Sequence, residues 1–170
     1  WFDPVREREA ALTLLNQDVD VLAFHTGSTA VMRAAQERGK LAIAYHSDMR
    51  HVAPEAQVLA VTHQWSEYYL SRARAVLEGR WQSQALWGGV GQGMVRVGEF
   101  GPRVPQSVRQ EVLSRQADIA AGRLHPFAAG DQPVRDASGA IMIPAGAVLS
   151  DEQILGMNAL VQGVQGGLPR

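Results

Sequence analysis

Three short apolar segments in the first third of the chain each lead into a polar or aromatic cluster. They are rich in Val, Leu, Ile and Ala and adjoin segments with helical spacing, which is typical of parallel strands buried on both faces. The segments are 19–24, 41–45 and 58–62, and the clusters after them begin at His25, His46 and His63. Because ligand crevices lie outside the carboxyl ends of parallel strands, we expect the three clusters to converge on one small molecule.

Helix signals lie between and around these segments. Asp at residue 3 and Pro at residue 4 have the types preferred at an N-cap and at the first helical position, and they predict a helix ending near Gln17. Ser28 is expected to cap a second helix, and a third is predicted over 66–78. The order β-α-β-α-β-α predicts an α/β fold with a parallel sheet, helices on both faces and right-handed crossovers.

The second half of the chain has a different character. The predicted elements there are an extended run over 94–97, a helix from Pro105 to Gly122, a hairpin over 133–143, a capping box at 150–153 that opens a helix from Asp151 to about Val161, and a loop over 163–170. The glycine-rich segment 88–93 lacks the Gly-Lys-Ser/Thr ending of a phosphate loop, so a bend in a crossover is the favoured interpretation.

Composition excludes several classes of protein. With 16 basic and 17 acidic side chains the chain has a formal charge of −1, so nucleic acid is not an expected partner. Zero cysteines exclude disulfides and Cys-type zinc sites, and suit the periplasm as well as the cytoplasm. A beginning at Trp-Phe, with no strand before the first helix, leads us to interpret the chain as the carboxyl-terminal portion of a longer protein.

Motifs along nearly the whole chain carry a family resemblance. They are Trp-Phe-Asp-Pro at 1–4, Glu-Arg-Glu-Ala-Ala at 7–11, Asp-Val-Leu at 20–22, His-Thr at 25–26, Tyr-His-Ser-Asp-Met at 45–49, Ala-Pro at 53–54, Trp-Ser-Glu-Tyr-Tyr at 65–69, Trp-Gly-Gly at 87–89, Pro-Ala-Gly at 144–146 and Leu-Ser-Asp-Glu at 149–152. Together they resemble the carboxyl-terminal half of the basic membrane protein family. These are substrate-binding proteins of ABC importers and include purine nucleoside receptor lipoproteins.

The resemblance implies a type I periplasmic binding fold, in which two α/β lobes joined by crossovers close over a ligand. It implies three parts: an α/β ligand-binding lobe over 1–86, a glycine-rich crossover and helix belonging toward the other lobe over 87–130, and a hairpin, final helix and tail returning to the first lobe over 131–170. It also implies a missing amino-terminal lobe with a signal peptide, an ABC permease partner, and a periplasmic or lipoprotein-anchored location facing the periplasm.

The resemblance further implies site residues. In nucleoside-binding members aromatic side chains sandwich the base, a carboxylate holds ribose hydroxyls and a lysine adds a contact. By position Trp1 replaces one aromatic and Asp48 the carboxylate, whereas His63 stands roughly where the lysine would be, so a free nucleobase such as adenine becomes a candidate ligand. Stacking and an amide would come from Trp65 and Gln64. The predicted ligand-binding residues are Trp1, Phe2, His25, Thr26, Ser28, His46, Asp48, Met49, His63, Gln64 and Trp65.

Alternatives stay open at this point. Asp48 would equally brace its own turn, and Trp1 would equally pack on the surface. The histidine separations of 21 and 17 residues match no compact zinc spacing, so neither metal nor cofactor is expected. Besides a receptor without catalytic residues, two other functions share such a fold: the effector domain of a transcriptional regulator, and a nucleoside-processing enzyme that uses Ser47, Asp48 and a histidine.

Overall fold

A computed structural model describes residues 1–168. The chain forms two compact units, Trp1–Ala120 and Ala121–Arg170. The first contains α1 (Pro4–Leu15), β1 (Val21–Ala23), α2 (Ala30–Glu37), β2 (Leu41–His46), β3 (Gln57–His63), α3 (Ser66–Leu77), β4 (Val95–Gly98) and α4 (Gln106–Ala120), and the second contains β5 (Val134–Arg135), β6 (Ile141–Ile143) and α5 (Asp151–Leu155).

The first unit is built on one four-stranded sheet in the order β1-β2-β3-β4. The pairs β1·β2 and β2·β3 are parallel, with Val21 beside Leu41 and Tyr45 beside Val61. This confirms the predicted α/β class with a parallel sheet and helices. Strand β4 was predicted only as an extended run; it pairs with β3 in the antiparallel direction, with Val97 beside Val61.

The predicted strand and helix alternation is wrong between β2 and β3, where residues 47–56 form turns without a helix. Side-chain amides satisfy backbone groups in this loop. Gln57 Oε1 accepts from Met49 N at 2.8 Å, and Gln36 Oε1 accepts from the backbone nitrogens of Glu55 and Ala56, each at 3.0 Å. These bonds replace the internal hydrogen bonds that a helix would supply.

The core of the first unit lies between the sheet and the first two helices. Small side chains on the strands, such as Ala42, Ala44 and Ala60, are fully buried, so α2 packs closely on the sheet, and α1 packs against α2. Met32 of α2 is also fully buried. In contrast, α3 buries only Ala75, and its apolar Leu77 remains 87% exposed.

Capping residues place the helix ends. Asp3 caps α1 as predicted, by accepting from Arg6 N at 3.1 Å, and the helix ends at Leu15, slightly before the predicted Gln17. The N-cap of α2 is Thr29 rather than the predicted Ser28, although the Ser28 hydroxyl does accept from Ala30 N at 3.1 Å. The same Ser28 hydroxyl also donates to the buried carboxylate of Glu7.

The second unit contains the predicted hairpin, with β5 antiparallel to β6. Its turn is closed by Asp136, whose Oδ1 accepts from the backbone nitrogens of Ser138 and Ala140 at 2.8 and 2.9 Å. The capping box at Ser150 is also confirmed. The last helix is shorter than predicted, however, because it stops at Leu155 with Gly156 as its C-cap instead of continuing to about Val161.

The two units are those of this chain, and the three predicted parts over 1–86, 87–130 and 131–170 stay predictions. The boundary lies after Ala120, so β4 and α4 fall in the first unit with the parallel strands. The assignment of 87–130 toward another lobe stays a prediction about a complete protein. Among residues 1–168, none of the helices combines the length and apolar character that crossing a membrane requires.

Candidate ligand-binding site at the strand ends

Aromatic and imidazole rings form a continuous row where the parallel strands end. We call this row the ring array; its members are Trp1, His25, Tyr45, His46, His63, Trp65, Tyr68 and Tyr69. Neighbouring ring centroids lie 3.9 to 6.2 Å apart along it, from Trp1 against His25 at one end to Trp65 against Tyr69 at the other. The row therefore presents stacking faces contributed by several elements of the first unit.

Tyr45 is the centre of this array, and the sequence-based site did not include it. Its ring centroid lies 4.1 Å from that of His25, 3.9 Å from that of His46 and 5.5 Å from that of His63. The signal that could have found it was its position as the last strand residue before a predicted site cluster. Alternation places it on the sheet face opposite buried Ala44, where it is only half-buried.

His46 holds an unusual backbone conformation at the end of β2. Its φ is +70°, in the left-handed region that L-residues seldom occupy. The pKa of His46 lies below its usual value, because packing removes water from the imidazole and because protonated His63 or His25 would add like charge. Both observations are typical of a functional position.

His63 presents an unsatisfied polar atom. Its Nδ1 is buried and has no hydrogen-bond partner among the residues that the structure describes. Because buried polar atoms in proteins are nearly always paired with protein, water or ligand, this nitrogen is a candidate contact for a bound molecule. Its centroid lies 5.3 Å from that of His46 and 6.0 Å from that of Trp65.

The Asp48 carboxylate is engaged within the protein. Arg50 Nε donates to both oxygens at 2.9 and 3.0 Å, Arg50 Nη2 donates to Oδ2 at 2.6 Å, and Gln57 Nε2 donates to Oδ1 at 3.0 Å. The Arg50 hydrogen bond is the main cause that lowers the pKa of Asp48 to about 2, against the opposing effect of desolvation. Arg50 continues the network to Glu99 at 2.7 Å. The arrangement is that of a brace for the loop after β2.

Replacing Asp48 with asparagine should therefore make the free energy of unfolding depend less on pH in the acidic range. The folded pKa lies below the ordinary value of 3.8, so the carboxylate stabilises the fold above that value and loses this effect as pH falls through about 2. With 37% of the side chain exposed, we expect the Asp48→Asn variant to lose only about 1 kcal/mol at neutral pH. Urea unfolding at several pH values measures this, with exposed Asp131→Asn as the control. A difference from wild type that persists unchanged to the lowest pH contradicts the prediction.

The other predicted residues have varied environments. Ser28 and Met49 are 4% and 5% exposed, so they lie in the interior. Phe2 is 71% exposed beside the loop after β1, and the Gln64 backbone nitrogen bonds to Met94 O at 2.8 Å. The structure thus brings Trp1, the three histidines and Trp65 into one row, and leaves Ser28 and Met49 buried behind the surface.

Glu7 is a buried charged residue that the sequence-based site missed. It is 7% exposed, and its Oε2 accepts from the hydroxyls of Thr26 and Ser28 at 2.7 and 2.6 Å. Oε2 also accepts from Ser28 N at 3.1 Å, while Oε1 accepts from Asp3 N at 3.0 Å. Burial raises the pKa of Glu7, but these hydrogen bonds outweigh it and the net pKa is lowered.

Glu7 connects the amino-terminal residues to the loop after β1. This connection is reinforced by Gly27 N, which donates to Trp1 O at 2.9 Å. The Trp1 ring is consequently anchored through its backbone although it is 93% exposed. The sequence signal was periodicity, since Glu7 lies one helical turn before Ala11 on the buried face of α1. No grouping of three or more His, Asp or Glu side chains suitable for a metal ion occurs within residues 1–168.

A family model described as "ABC transporter substrate-binding protein PnrA-like" matches residues 1–124. Over all 170 residues the chain is 39% identical to "Purine-binding protein BAB2_0673" of Brucella abortus, covering 47% of that protein. Over 128 residues, or 75% of the chain, it is 33% identical to "Putative ABC transporter glucose-binding protein TsgA13" of Haloferax volcanii, covering 33% of that protein. The chain thus spans about half or less of these curated relatives.

Two solved structures share the fold. One is described as a transcriptional activator of the comK gene from Bacillus halodurans, with a TM-score of 0.63 and 23% identity, over 74% of this chain and 45% of that one. The other is an ABC transporter solute-binding protein from Conexibacter woesei, with a TM-score of 0.52 and 17% identity, over 74% of this chain and 43% of that one. At these identities the similarity describes the fold alone.

Proposed function

Because the chain belongs to the PnrA-like family of ABC transporter substrate-binding proteins, we propose that it forms part of a receptor that binds a purine without converting it chemically. In this proposal a second lobe outside the chain completes the site, and an ABC permease receives the ligand. The complete protein faces the periplasm, either free or anchored as a lipoprotein. The ligand contacts within this chain come from the ring array and from the polar groups beside it.

The ring array is the observation that carries the purine proposal. Stacking of a nucleobase on an aromatic face contributes about 1–3 kcal/mol per base, and rings along the strand ends offer several such faces. The unpaired Nδ1 of His63 supplies a directional contact to a ring nitrogen. The 39% identity to a protein named as purine-binding supports the same ligand class.

A free base fits this lobe better than a nucleoside. The Asp48 oxygens, which the family resemblance assigned to ribose, already accept from Arg50 and Gln57. Lys40, the only lysine of the chain, forms an ion pair with Asp18 at 2.8 Å. Neither of the two side-chain types expected around a ribose is therefore free to contact one from these positions, which favours adenine or a related base.

The same contacts weigh against an enzyme. A nucleophile mechanism would need a carboxylate that orients a histidine, but Asp48 bonds to Arg50 and Gln57. The Bacillus halodurans structure does not support the regulator alternative, because at 23% identity the similarity shows the fold only. A receptor that binds without catalysis remains the proposal that agrees with family membership.

Calorimetric titration of the full-length protein tests the ligand proposal. Adenine, guanine, adenosine, guanosine and glucose are titrated separately under the same conditions. We expect heat of binding with a purine base, weaker binding of its nucleoside, and none with glucose. Binding of glucose with no purine signal would overturn the purine proposal and favour the ligand class printed for the Haloferax relative.

Trp65→Ala should weaken binding of that purine about tenfold, the lower part of the range for one base-stacking contact. The matched control is Trp81→Ala, since Trp81 is 51% exposed, compared with 39% for Trp65, but lies outside the ring array. Both variants are compared with wild type by calorimetry after their thermal melts have been checked. Equal affinities for the two variants would exclude Trp65 as a stacking contact.

A further inference from the structure

We propose that the imidazoles of His25, His46 and His63 act as one recognition group that must be neutral to hold the ligand, so that acidification releases it. This inference rests on the proposed function and specifies how the same site chooses and discharges its ligand. It assigns to the three histidines a role that stacking alone would not require.

The rings of the three histidines lie close together at the strand ends. The three side chains come from the ends of three adjacent strands, and the ring centroid of His46 lies 6.1 Å from that of His25 and 5.3 Å from that of His63. Tyr45 lies among them with centroid distances of 4.1, 3.9 and 5.5 Å. A molecule resting on this part of the array therefore meets three titratable rings at once.

The charged groups around the array do not supply the imidazoles with a carboxylate partner. Three carboxylates on α1, on the loop after β2 and next to β4 have partners other than the imidazoles: Glu7 has Thr26 and Ser28, Asp48 has Arg50 and Gln57, and Glu99 has Arg50 and Arg96. On β4, Arg96 is itself paired with Glu99, and the acidic group in the first turn of α3 is the exposed Glu67. A positive charge on the imidazoles is consequently not compensated by a carboxylate partner among these residues.

Protonation then opposes binding for two reasons. Adjacent imidazolium ions repel each other at these separations, and each loses the neutral nitrogen lone pair that accepts from a purine N–H. The His63 Nδ1 atom, buried and unpaired, is the nitrogen most directly affected. His46 is already biased toward the neutral form by desolvation and by its two neighbours, which lower its pKa.

Linkage gives the sign of the effect. A ligand that binds the neutral array has full affinity where the imidazoles are uncharged and loses affinity as they take up protons at lower pH. Between about pH 8 and pH 5, the interval in which histidines change charge, we expect the affinity for hypoxanthine to fall at least about tenfold. Hypoxanthine is the probe because the neutral base does not take up a proton over this acidic range.

The experiment is calorimetry of the full-length protein with hypoxanthine across this pH interval. Titrations in two buffers with different heats of ionisation also report whether protons leave the protein on binding. We expect proton release near pH 6 and none near pH 8. An affinity that is constant with pH, or higher in acid, overturns the inference while leaving purine binding intact. Absence of binding by hypoxanthine and adenine at every pH instead overturns the proposed function.

Variants that keep a polar group but cannot be protonated separate recognition from structure. We choose His46→Asn, because asparagine tolerates the left-handed backbone at this position, and His63→Gln within β3. Each should bring the ratio of the affinities at pH 8 and pH 5 closer to one, because an amide takes up no proton over this range but retains one donor and one acceptor. The matched control is His51→Gln, an exposed histidine in the loop after β2 and outside the array. A control that flattens the profile as much as the array variants contradicts the assignment.

Discussion

Replacing Glu7 with alanine is expected to lower the free energy of unfolding by about 3 kcal/mol. The substitution removes a buried acceptor and leaves four donors without it: the hydroxyls of Thr26 and Ser28 and the backbone nitrogens of Ser28 and Asp3. Two of these groups are themselves buried with Ser28, which is 4% exposed. Their desolvation is no longer offset, so the loss exceeds that of one ordinary hydrogen bond.

The matched control for this variant is Glu9→Ala, on the same helix but exposed. Its carboxylate contributes little, so we expect a change within about 0.5 kcal/mol. Urea unfolding followed by circular dichroism measures both. A Glu7→Ala loss that is no larger than the control would show that the buried carboxylate is not needed to hold Trp1–Asp3 against the loop after β1.

Gln57→Ala is the second substitution with a large expected effect, again about 3 kcal/mol. Gln57 is fully buried, and its amide accepts from Met49 N at 2.8 Å and donates to Glu99 O at 2.6 Å and to Asp48 Oδ1 at 3.0 Å. Truncation leaves the buried Met49 N and the Glu99 carbonyl without this partner, removes one of the bonds to Asp48, and opens a cavity. The loop after β2 and the end of β4 lose one of their attachments, while the ion pair between Arg50 and Glu99 remains.

The control for Gln57 is Gln110→Ala, an exposed glutamine on α4, which should change stability by less than about 0.5 kcal/mol. Gln57→Leu adds a further test, since leucine fills most of the space but provides no hydrogen bonds. If Gln57→Leu is as stable as wild type, the hydrogen bonds do not stabilise this junction and the Ala effect is due to the cavity alone.

The elements that could be predicted are those specified by local sequence. The segments that became β2 and β3 are short apolar runs, and Asp3 with Pro4 marks the start of α1 through its own hydrogen bond to Arg6 N. These features act over a few residues. A sequence pattern therefore places them within one or two residues without knowledge of the tertiary fold.

The features that could not be predicted depend on distant partners. The direction of β4 is set by pairing with β3, and its four residues carry no mark of that choice. A side chain at Gly101 would collide with the carbonyl of Gln57, so the close approach of these segments is visible only in three dimensions. The role of Asp48 could not be predicted either. A carboxylate two residues from Arg50 gives the same sequence pattern whether it braces a turn or contacts a ligand.

The candidate site shows the same limit. The strand-end rule placed His25, His46 and His63 at one edge of the sheet, where the structure has them as neighbours. The rule did not identify Tyr45, because the sequence assigns this residue to the strand itself. In the structure its ring lies among the imidazoles. Nor did it identify Glu7, whose buried charge is tolerated only because four donors converge on it.

The positive φ of His46 limits which substitutions at this position can change the ligand preference of the ring array. Valine, isoleucine and threonine are strained in that backbone, so a saturation library at this codon should yield folded clones mainly with histidine, asparagine, aspartate or glycine. Substitutions that change the bound ligand would then occur mainly at positions 25 and 63, and position 46 would be the last of the three to change.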